Sequence, residues 1–293
     1  MISSGDADTN AKSVATPISY RRLTTWAEYV AAEHLQREVW QMADWRDVVP
    51  AHLLVTVQKN GGIVLGAFTP AQRLVGFVFS FLGRADDEGN QLQQCSHLLA
   101  VLPEFRGKEI GARLKFAQRD AARAQGVTRM TWTYDPLLAL NAHLNLARLG
   151  GSVRQYIVEA YGEMADGLNV GLPSDRFLVE WRFDAPVATP RRTWRAWVAA
   201  GACEIFDLAF DAEHLPHIQR VRDLCGEALV IEIPSDLNAL KAATAQLALE
   251  WRLQTRAVFQ RAFAAGYVAT DLLRETRNGV RRAAYLLVRQ PGG

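Results

Sequence analysis

The stretch PEFRGKEIG, residues 103–111, joins an apolar run of the sequence to the start of a helical pattern. It brings Arg106, Gly107, Lys108 and Gly111 close together. The first turn of a helix presents backbone N–H groups that bind phosphate, and glycine lets the backbone approach a ligand. The stretch therefore indicates either a phosphate-binding turn or an ordinary strand-to-helix turn with solvated charges. It matches neither the phosphate loop of nucleotide hydrolases nor the GxGxxG dinucleotide fingerprint.

Outward from this stretch, the sequence predicts a mixed α/β sheet with crossover helices. Short apolar runs bounded by turn residues predict three or four strands before the stretch, and Thr25 is placed to cap the first helix. A helix from about 108 to 125 follows, with Ile110 and Leu114 on its buried side and Lys115 on another face. The later predicted elements are strands at 127–134, 153–161 and 176–183 and a helix at 136–149.

Composition divides the chain into four predicted parts. Residues 1–17 are polar and predict a disordered lead. Residues 18–184 form the main α/β domain, and residues 185–200, whose first six include Ala, Pro and Thr, form a linker. Residues 201–293 have strand and helix signals of their own and predict a smaller C-terminal α/β lobe.

Bulk properties exclude several classes of protein. The chain has 293 residues and a net charge of +2, with basic residues in small clusters, so we expect no nucleic-acid partner. No apolar run approaches the roughly 18 residues of a membrane-spanning helix, so we expect no membrane partner. The three cysteines form no CxxC pair, which favours reduced thiols in a cytoplasmic protein. His214 and His217 lack a nearby third ligand, and we expect no metal site.

Residues 99–114, LAVLPEFRGKEIGARL, resemble the acetyl-CoA motif of the GNAT acyltransferase superfamily. In that motif an apolar strand, a valine and a proline precede Arg/Gln-x-x-Gly-x-Gly/Ala and a helix. The order of predicted elements over residues 18–183 also resembles the GNAT fold. Segments 132–136, 141–150 and 161–176 are similar to a branch of predicted acetyltransferases that carry a C-terminal extension.

This resemblance implies a GNAT-like acyl-CoA N-acyltransferase fold and direct transfer of an acetyl or related acyl group to an amine. Acetyl-CoA or another acyl-CoA would be the co-substrate, a small-molecule amine the acceptor, and no metal would take part. The C-terminal lobe would complete the substrate pocket or form a homodimer contact. A second hypothesis is a GNAT fold that binds a ligand or partner without catalysis. A third is transfer of a bulkier acyl or aminoacyl group, since two lobes can enclose a larger acceptor.

The resemblance also assigns cofactor-binding residues. Arg106 matches the first motif position and Gly111 the last, while Glu109 stands where the family usually has its first glycine. The carboxylate of Glu109 would repel a phosphate if it faced one, or it would point outward in the first helical turn, where an acidic residue suits the helix dipole. Asn141 and Asn145 have two interpretations: either they form hydrogen bonds with the cofactor or substrate, or they are exposed helix residues. The predicted cofactor-binding residues are Leu99, Val101, Arg106, Gly107, Lys108, Glu109, Ile110, Gly111, Asn141 and Asn145.

Three side chains are candidates for acid–base catalysis. His97 lies on the strand before the motif, on the predicted face of Cys95 and Leu99, and is either a base or a packed histidine. The tyrosine that acts as the family acid is replaced by Leu146 here. Tyr134 and Tyr161 are the substitutes, although each could simply pack, as we expect for Cys95.

Acidic residues after the later strands are candidates for binding the acceptor amine. Asp135 follows a predicted strand, where it either binds the amine or caps the next helix. Asp166 and Asp175 belong to the polar loop 161–176, which either closes over a substrate or is solvated.

Overall fold

The computed structural model describes residues 17–42, 44–85, 91–162, 171–185 and 191–290. In the N-terminal half the elements are β1 (Ser19–Arg22), α1 (Trp26–Trp40), α2 (Ala51–Lys59), β2 (Ile63–Phe68), β3 (Leu74–Arg84), β4 (Leu92–Val101), α3 (Ile110–Arg123), β5 (Arg129–Tyr134), α4 (Ala139–Ala142), β6 (Ser152–Ile157) and β7 (Arg176–Arg182). A π-helix, His143–Arg148, continues α4. The C-terminal half contains α5 (Trp194–Ala199), β8 (Cys203–Glu204), β9 (Phe206–Phe210), β10 (Pro216–Val221), β11 (Ala228–Ile233), α6 (Leu237–Ala243), α7 (Ala245–Ala264), β12 (Tyr267–Arg277) and β13 (Val280–Arg289).

Eleven of the described strands form one mixed sheet, in the order β1-β2-β3-β4-β5-β7-β6-β12-β13-β11-β8. The pairs β4–β5 and β8–β11 are parallel, and the first of these is connected by α3 as a crossover helix. β9 and β10 form a separate antiparallel hairpin. The mixed α/β class predicted from the sequence is confirmed.

Local signals explain where the first helix begins. The Thr25 hydroxyl accepts a hydrogen bond from the backbone N–H of Glu28, and the Glu28 carboxylate accepts one from the N–H of Thr25. This reciprocal arrangement satisfies two backbone donors that the helix cannot pair internally. The Arg21 side chain, which bonds the same carboxylate, lowers the pKa of Glu28 to about 2.

The C-terminal half continues the sheet of the N-terminal half. β12 pairs with β6 where Ala269 lies opposite Val153. Aromatic rings from both halves pack together beside this junction, with 4.8 Å between the centroids of Phe177 and Phe259 and 5.3 Å between those of Phe177 and Tyr285. The two halves thus share one hydrophobic core. The assignment of residues 18–184 and 201–293 to separate domains stays a prediction, and α5 lies within the predicted linker.

The cysteines differ from the sequence expectation. Cys203 and Cys225 form a disulfide, with 6.1 Å between their Cα atoms, so the expectation of three reduced thiols was wrong for this pair. Their separation of 22 residues gave no local signal, because the contact depends on how β8 is placed beside β11. Cys95 is a free thiol and half-buried.

We expect Phe259→Ala to lower the free energy of unfolding by about 3–5 kcal/mol, the usual cost of removing a buried phenylalanine ring. Because the ring contacts Phe177 of β7 and Tyr285 of β13, both halves should lose stability together. Hydrogen exchange and chemical denaturation measure this. Leu253→Ala, at an exposed position of the same helix, is the control and should change stability little. Unchanged protection of β2–β5 in the Phe259 variant would contradict the shared core.

Candidate active site

A gap opens between β4 and β5. The two parallel strands are in register at only two positions among the described residues, which are Gln94 with Met130 and Cys95 with Thr131. Beyond them β4 stays paired with β3 as far as Val101, and β5 stays paired with β7 as far as Tyr134. The strands therefore diverge toward their C-terminal ends. Segments 96–101 and 132–134 form the two sides of this gap.

A β-bulge lies at the start of the gap. In the β3–β4 ladder Phe79 is opposite Leu98 while Ser80 is opposite Ser96, so His97 is the extra residue. The bulge changes the alternation of side chains along β4. Ser96 faces α3, and after the bulge Leu99 also lies beside α3. The expectation that Leu99 shares a face with His97 was therefore wrong.

His97 lies on the face of the sheet away from α3. Its ring packs edge-on against Phe79, with 5.9 Å between centroids, and also contacts Phe81, which is opposite Cys95. The residue is exposed, but the aromatic rings beside it desolvate the imidazole and lower the pKa of His97. A neutral imidazole is therefore available near pH 7 to accept a proton.

The 103–111 stretch forms a tight turn into α3. Glu109 precedes the helix with a φ of 59°, the left-handed conformation that favours glycine. Its backbone thus adopts the geometry expected of the glycine that the family has at this position. Gly107 also has a positive φ and has open space around its Cα. No side chain caps α3, so the first N–H groups of the helix are not bonded by a side chain.

The charged side chains of this turn are solvent-exposed. Arg106 and Lys108 are exposed, and the Lys108 ammonium lies 4.7 Å from the centre of the Phe105 ring. The Glu109 carboxylate forms an ion pair with Arg148 of the π-helix that continues α4. The charge of Glu109 is therefore compensated by a neighbouring arginine. Ile110 is buried beneath the turn, and Gly111 lies near Leu99 and Val101 of β4.

Arginines gather around the π-helix. The Arg274 guanidinium of β12 lies 3.0 Å from Nε2 of His143. Burial, together with the charges of Arg274, Arg191 and Arg148, lowers the pKa of His143 to about 4. This histidine is therefore neutral at physiological pH, and the region beside the 103–111 turn is basic.

The two predicted asparagines have different surroundings. Asn141 is exposed on α4. Asn145 is buried, and its Oδ1 accepts a hydrogen bond of 3.2 Å from the indole N–H of Trp132 in β5. Asn145 thus fixes the orientation of a side chain at the edge of the gap. Leu146, at the position of the family tyrosine, is fully buried.

The two candidate tyrosines lie on opposite faces of β5. Tyr134 is buried, and its hydroxyl is 3.1 Å from that of Tyr285, which donates to the carbonyl of Pro136. Burial raises the pKa of Tyr134 above its ordinary value. Tyr161 is exposed, and its hydroxyl is 2.7 Å from Oγ1 of Thr133. Thr133 and Tyr134 are adjacent in the strand, so their side chains point to opposite faces of the sheet. Tyr161 contacts Thr133 and therefore lies on the face that carries His97, whereas Tyr134 does not.

The predicted substrate-binding aspartates contact arginines of α7. Asp135 accepts a 2.8 Å hydrogen bond from the N–H of Leu137 in the turn before α4 and pairs with the fully buried Arg252. It does not cap α4, whose N-cap is Leu138 and has no side-chain hydrogen bond. Asp175 is fully buried and accepts two hydrogen bonds from Arg256, of 2.8 and 2.9 Å. The Tyr156 hydroxyl also donates to Asp175, at 2.6 Å. Asp166 lies outside the described residues.

Lys115 lies beside the gap, and the expectation that it is on a face of α3 other than the buried one was wrong. It is buried, with its Nζ 2.9 Å from Oγ of Ser96, 3.6 Å from Sδ of Met130 and 3.5 Å from the centre of the Trp132 ring. Burial lowers the pKa of Lys115 well below its ordinary value. Lys115 follows Gly111 by four residues, and this helical spacing places both on the same face of α3. Its charge instead indicated a solvent-facing position, as is usual for lysine. No sequence pattern near residues 99–114 indicated that Arg252 and Arg256 would contact the predicted site residues.

The described residues contain neither a candidate metal site nor a membrane-spanning helix. No group of three or more His, Cys, Asp and Glu side chains is arranged to hold a metal ion in the described part of the chain. None of the helices within the described ranges is both long and apolar enough to span a bilayer.

Comparisons with known proteins give structural matches only. No protein-family model matches the chain, and no curated protein sequence matches it. The structure is similar to the ribosomal-protein-S18-alanine N-acetyltransferase from Escherichia coli, with 12% identity, a TM-score of 0.45, and coverage of 60% of this chain and 99% of that one. It is also similar to a chain of the NatC complex bound to Gag peptide and CoA, with 13% identity, a TM-score of 0.45, and coverage of 56% and 98%. An aminoglycoside acetyltransferase from a soil metagenome matches at 19% identity, with a TM-score of 0.36 and coverage of 41% and 78%.

We expect Asp135→Asn to lower the free energy of unfolding by about 3–5 kcal/mol, because it leaves Arg252 as a buried cation without its partner. Asparagine retains an oxygen that can accept from Leu137, so the loss reports the ion pair. Urea denaturation measures the change. Arg46→Ala, which removes an exposed ion pair with Asp44, is the control and should have little effect. An equally small effect of Asp135→Asn would show that the ion pair between Asp135 and Arg252 does not contribute to the stability of the fold.

Proposed function

We propose that the protein is an acyl-CoA-dependent N-acyltransferase that moves an acetyl or related acyl group directly to a small-molecule amine. The observation that carries this proposal is the divergence of β4 and β5 beside an uncapped helix that begins at the 103–111 turn. A gap between strands accommodates an extended thiol arm, and the helix start accommodates its pyrophosphate. The similar solved structures include acetyltransferases, in keeping with this function.

The residues of the turn fit a pyrophosphate. Arg106 and Lys108 supply exposed positive charge, and the open space at Gly107 lets a ligand approach the backbone. The N–H groups at the start of α3 donate toward the same region, and the helix dipole favours a negative group there. Leu99 and Val101 line the adjoining part of β4, where a backbone N–H would polarise the acyl carbonyl. The acyl-CoA thioester supplies the activated acyl group.

The acceptor amine would bind on the face of the sheet opposite α3. His97 and Thr133 lie on that face from the two sides of the gap, and the Tyr161 hydroxyl bonds Thr133. His97 would accept the proton of the attacking amine, and Tyr161 would donate a proton to the leaving thiolate. Tyr134 is less suited to this role because it is buried on the other face.

Acyl-CoA binding is the first test of this proposal. Acetyl-CoA should raise the melting temperature, since a ligand at a hundred times its Kd stabilises a protein by about 2.7 kcal/mol. Release of free thiol with a panel of amines should then show turnover. Arg106→Ala combined with Lys108→Ala should weaken binding, while Arg123→Ala, at the other end of α3, should not. Absence of a shift with any acyl-CoA would contradict the proposal.

The alternative is a protein that binds acyl-CoA or another ligand without catalysis. The replacement of the family tyrosine by the buried Leu146 favours it. A thermal shift without thiol release from any amine would support this alternative.

The pH dependence of turnover tests His97. Because its pKa is lowered from 6.5, the imidazole is neutral above that lowered pKa and can accept a proton there. We expect kcat/KM to rise with pH through a pKa below 6.5 and to level off above it. His97→Gln should remove this rise, and His52→Gln, at an exposed position of α2, should keep it. The same profile in both variants would exclude His97 as the base.

Substitution of Glu109 tests whether its charge weakens cofactor binding. Glu109→Gln removes the charge and releases Arg148, so CoA should bind more tightly, by about fivefold for a solvated charge worth about 1 kcal/mol. Glu109→Gly additionally removes the cost of a side chain at positive φ. Calorimetry gives the dissociation constants. Glu104→Gln, which removes an exposed carboxylate paired with Arg73, is the control. If both Glu109 variants and the control bind CoA with the same affinity as the wild-type chain, the Glu109 side chain plays no part in binding.

A further inference from the structure

Lys115 lies at the closed end of the gap between β4 and β5. Ser96 is the first residue of β4 after the last paired position, and Trp132 is the first such residue of β5. The Lys115 Nζ is 2.9 Å from Oγ of Ser96 and 3.5 Å from the centre of the Trp132 ring. The amine therefore touches both strands at the point where they part.

The contacts of this amine include no carboxylate. In the described part of the chain its hydrogen-bond partners are the hydroxyl of Ser96 and the thioether of Met130. A lysine that is buried without an acidic partner is more stable in its neutral form. The pKa of Lys115 is accordingly lowered by burial, and the weaker, opposing influence comes from the Cys95 thiol.

The hydrogen-bond directions leave the lone pair of the neutral amine unused. The Ser96 hydroxyl donates its proton to Oε1 of Gln118, at 3.0 Å. Ser96 can therefore only accept from Lys115, and the amine donates to it. Met130 has no proton to give through its thioether sulfur. An amine with a free lone pair is a nucleophile toward an acyl thioester.

We propose that Lys115 is itself an acyl acceptor and becomes Nζ-acylated by the acyl-CoA bound in the gap. This inference rests on the proposed function. The Nζ lone pair attacks the thioester carbonyl carbon, a C–N bond forms, and the C–S bond breaks. The CoA thiolate leaves and takes up the proton lost from Nζ, so the products are a neutral amide and free CoA. The amide N–H can still donate to Ser96, and the neutral acyl group suits the apolar contacts with Met130 and Trp132.

Peptide mapping of the whole chain tests this assignment. The sequence contains only five lysines, which are Lys12, Lys59, Lys108, Lys115 and Lys241. After incubation of the native protein with acetyl-CoA, mass spectrometry should show acetylation at Lys115 ahead of Lys108, the exposed lysine of the 103–111 turn. In urea the preference should disappear, because chemical acetylation then follows exposure alone. Acetylation of Lys108 ahead of Lys115 in the native protein would overturn the inference.

Two variants separate this inference from the proposed function. Lys115→Met, an uncharged side chain of similar length, and Lys115→Arg should both lose the acetylated peptide while keeping the thermal shift with acetyl-CoA. If neither variant folds, the site preference in the wild-type chain still decides. A thermal shift with Lys115 unmodified overturns the inference and leaves the acyltransferase proposal standing. Absence of both binding and thiol release overturns the acyltransferase proposal, and Lys115 acylation with it.

Discussion

Two ion pairs between α7 and the N-terminal half constrain the rest of the structure: Asp135 with the buried Arg252, and the buried Asp175 with the half-buried Arg256. Buried charges are costly unless they are paired, so the sheet and α7 must meet in one arrangement. The arginines are four residues apart and lie on one side of the helix, so they bind both aspartates together. Since Asp135 directly follows β5, α7 fixes the backbone at the end of the gap.

The two faces of the gap carry different chemistry, because side chains alternate between the faces of β4 and β5. Toward α3 are the exposed charges of the 103–111 turn, which suit a phosphate-bearing ligand, and the buried amine of Lys115 at the closed end of the gap. On the opposite face are a neutral imidazole and the paired hydroxyls of Thr133 and Tyr161. In the proposed reaction the acyl donor and the amine acceptor meet through the sheet from opposite sides. The C-terminal half contributes to this arrangement indirectly, by holding β5, β6 and β7 in place.

Sequence reasoning was most successful where structure is set by short-range physics. The Thr25 cap, the strand order before α3 and the turn at residues 103–111 follow from patterns within a few residues, and the structure contains them. The bulge at His97 could not be predicted because it depends on the register between two strands. The buried position of Lys115 was missed because its charge was taken to indicate exposure, although its helical spacing from Gly111 indicated the buried side of α3. The arginine partners of Asp135 and Asp175 come from more than eighty residues away, and no local pattern reports such contacts.

The pairing of β6 with β12 has a consequence for assembly. A sheet edge with free backbone groups is a place where another chain can add a strand. Here the chain complements its own N-terminal half with β12, so the outer strands of the described sheet are β1 and the two-residue β8. A second copy therefore cannot dock by strand addition at β6, and a homodimer would need a different surface. A chain shortened before β12 would uncover this edge and would lose the contact of Tyr285 with the Phe177 ring, which makes self-association the expected fate of that fragment.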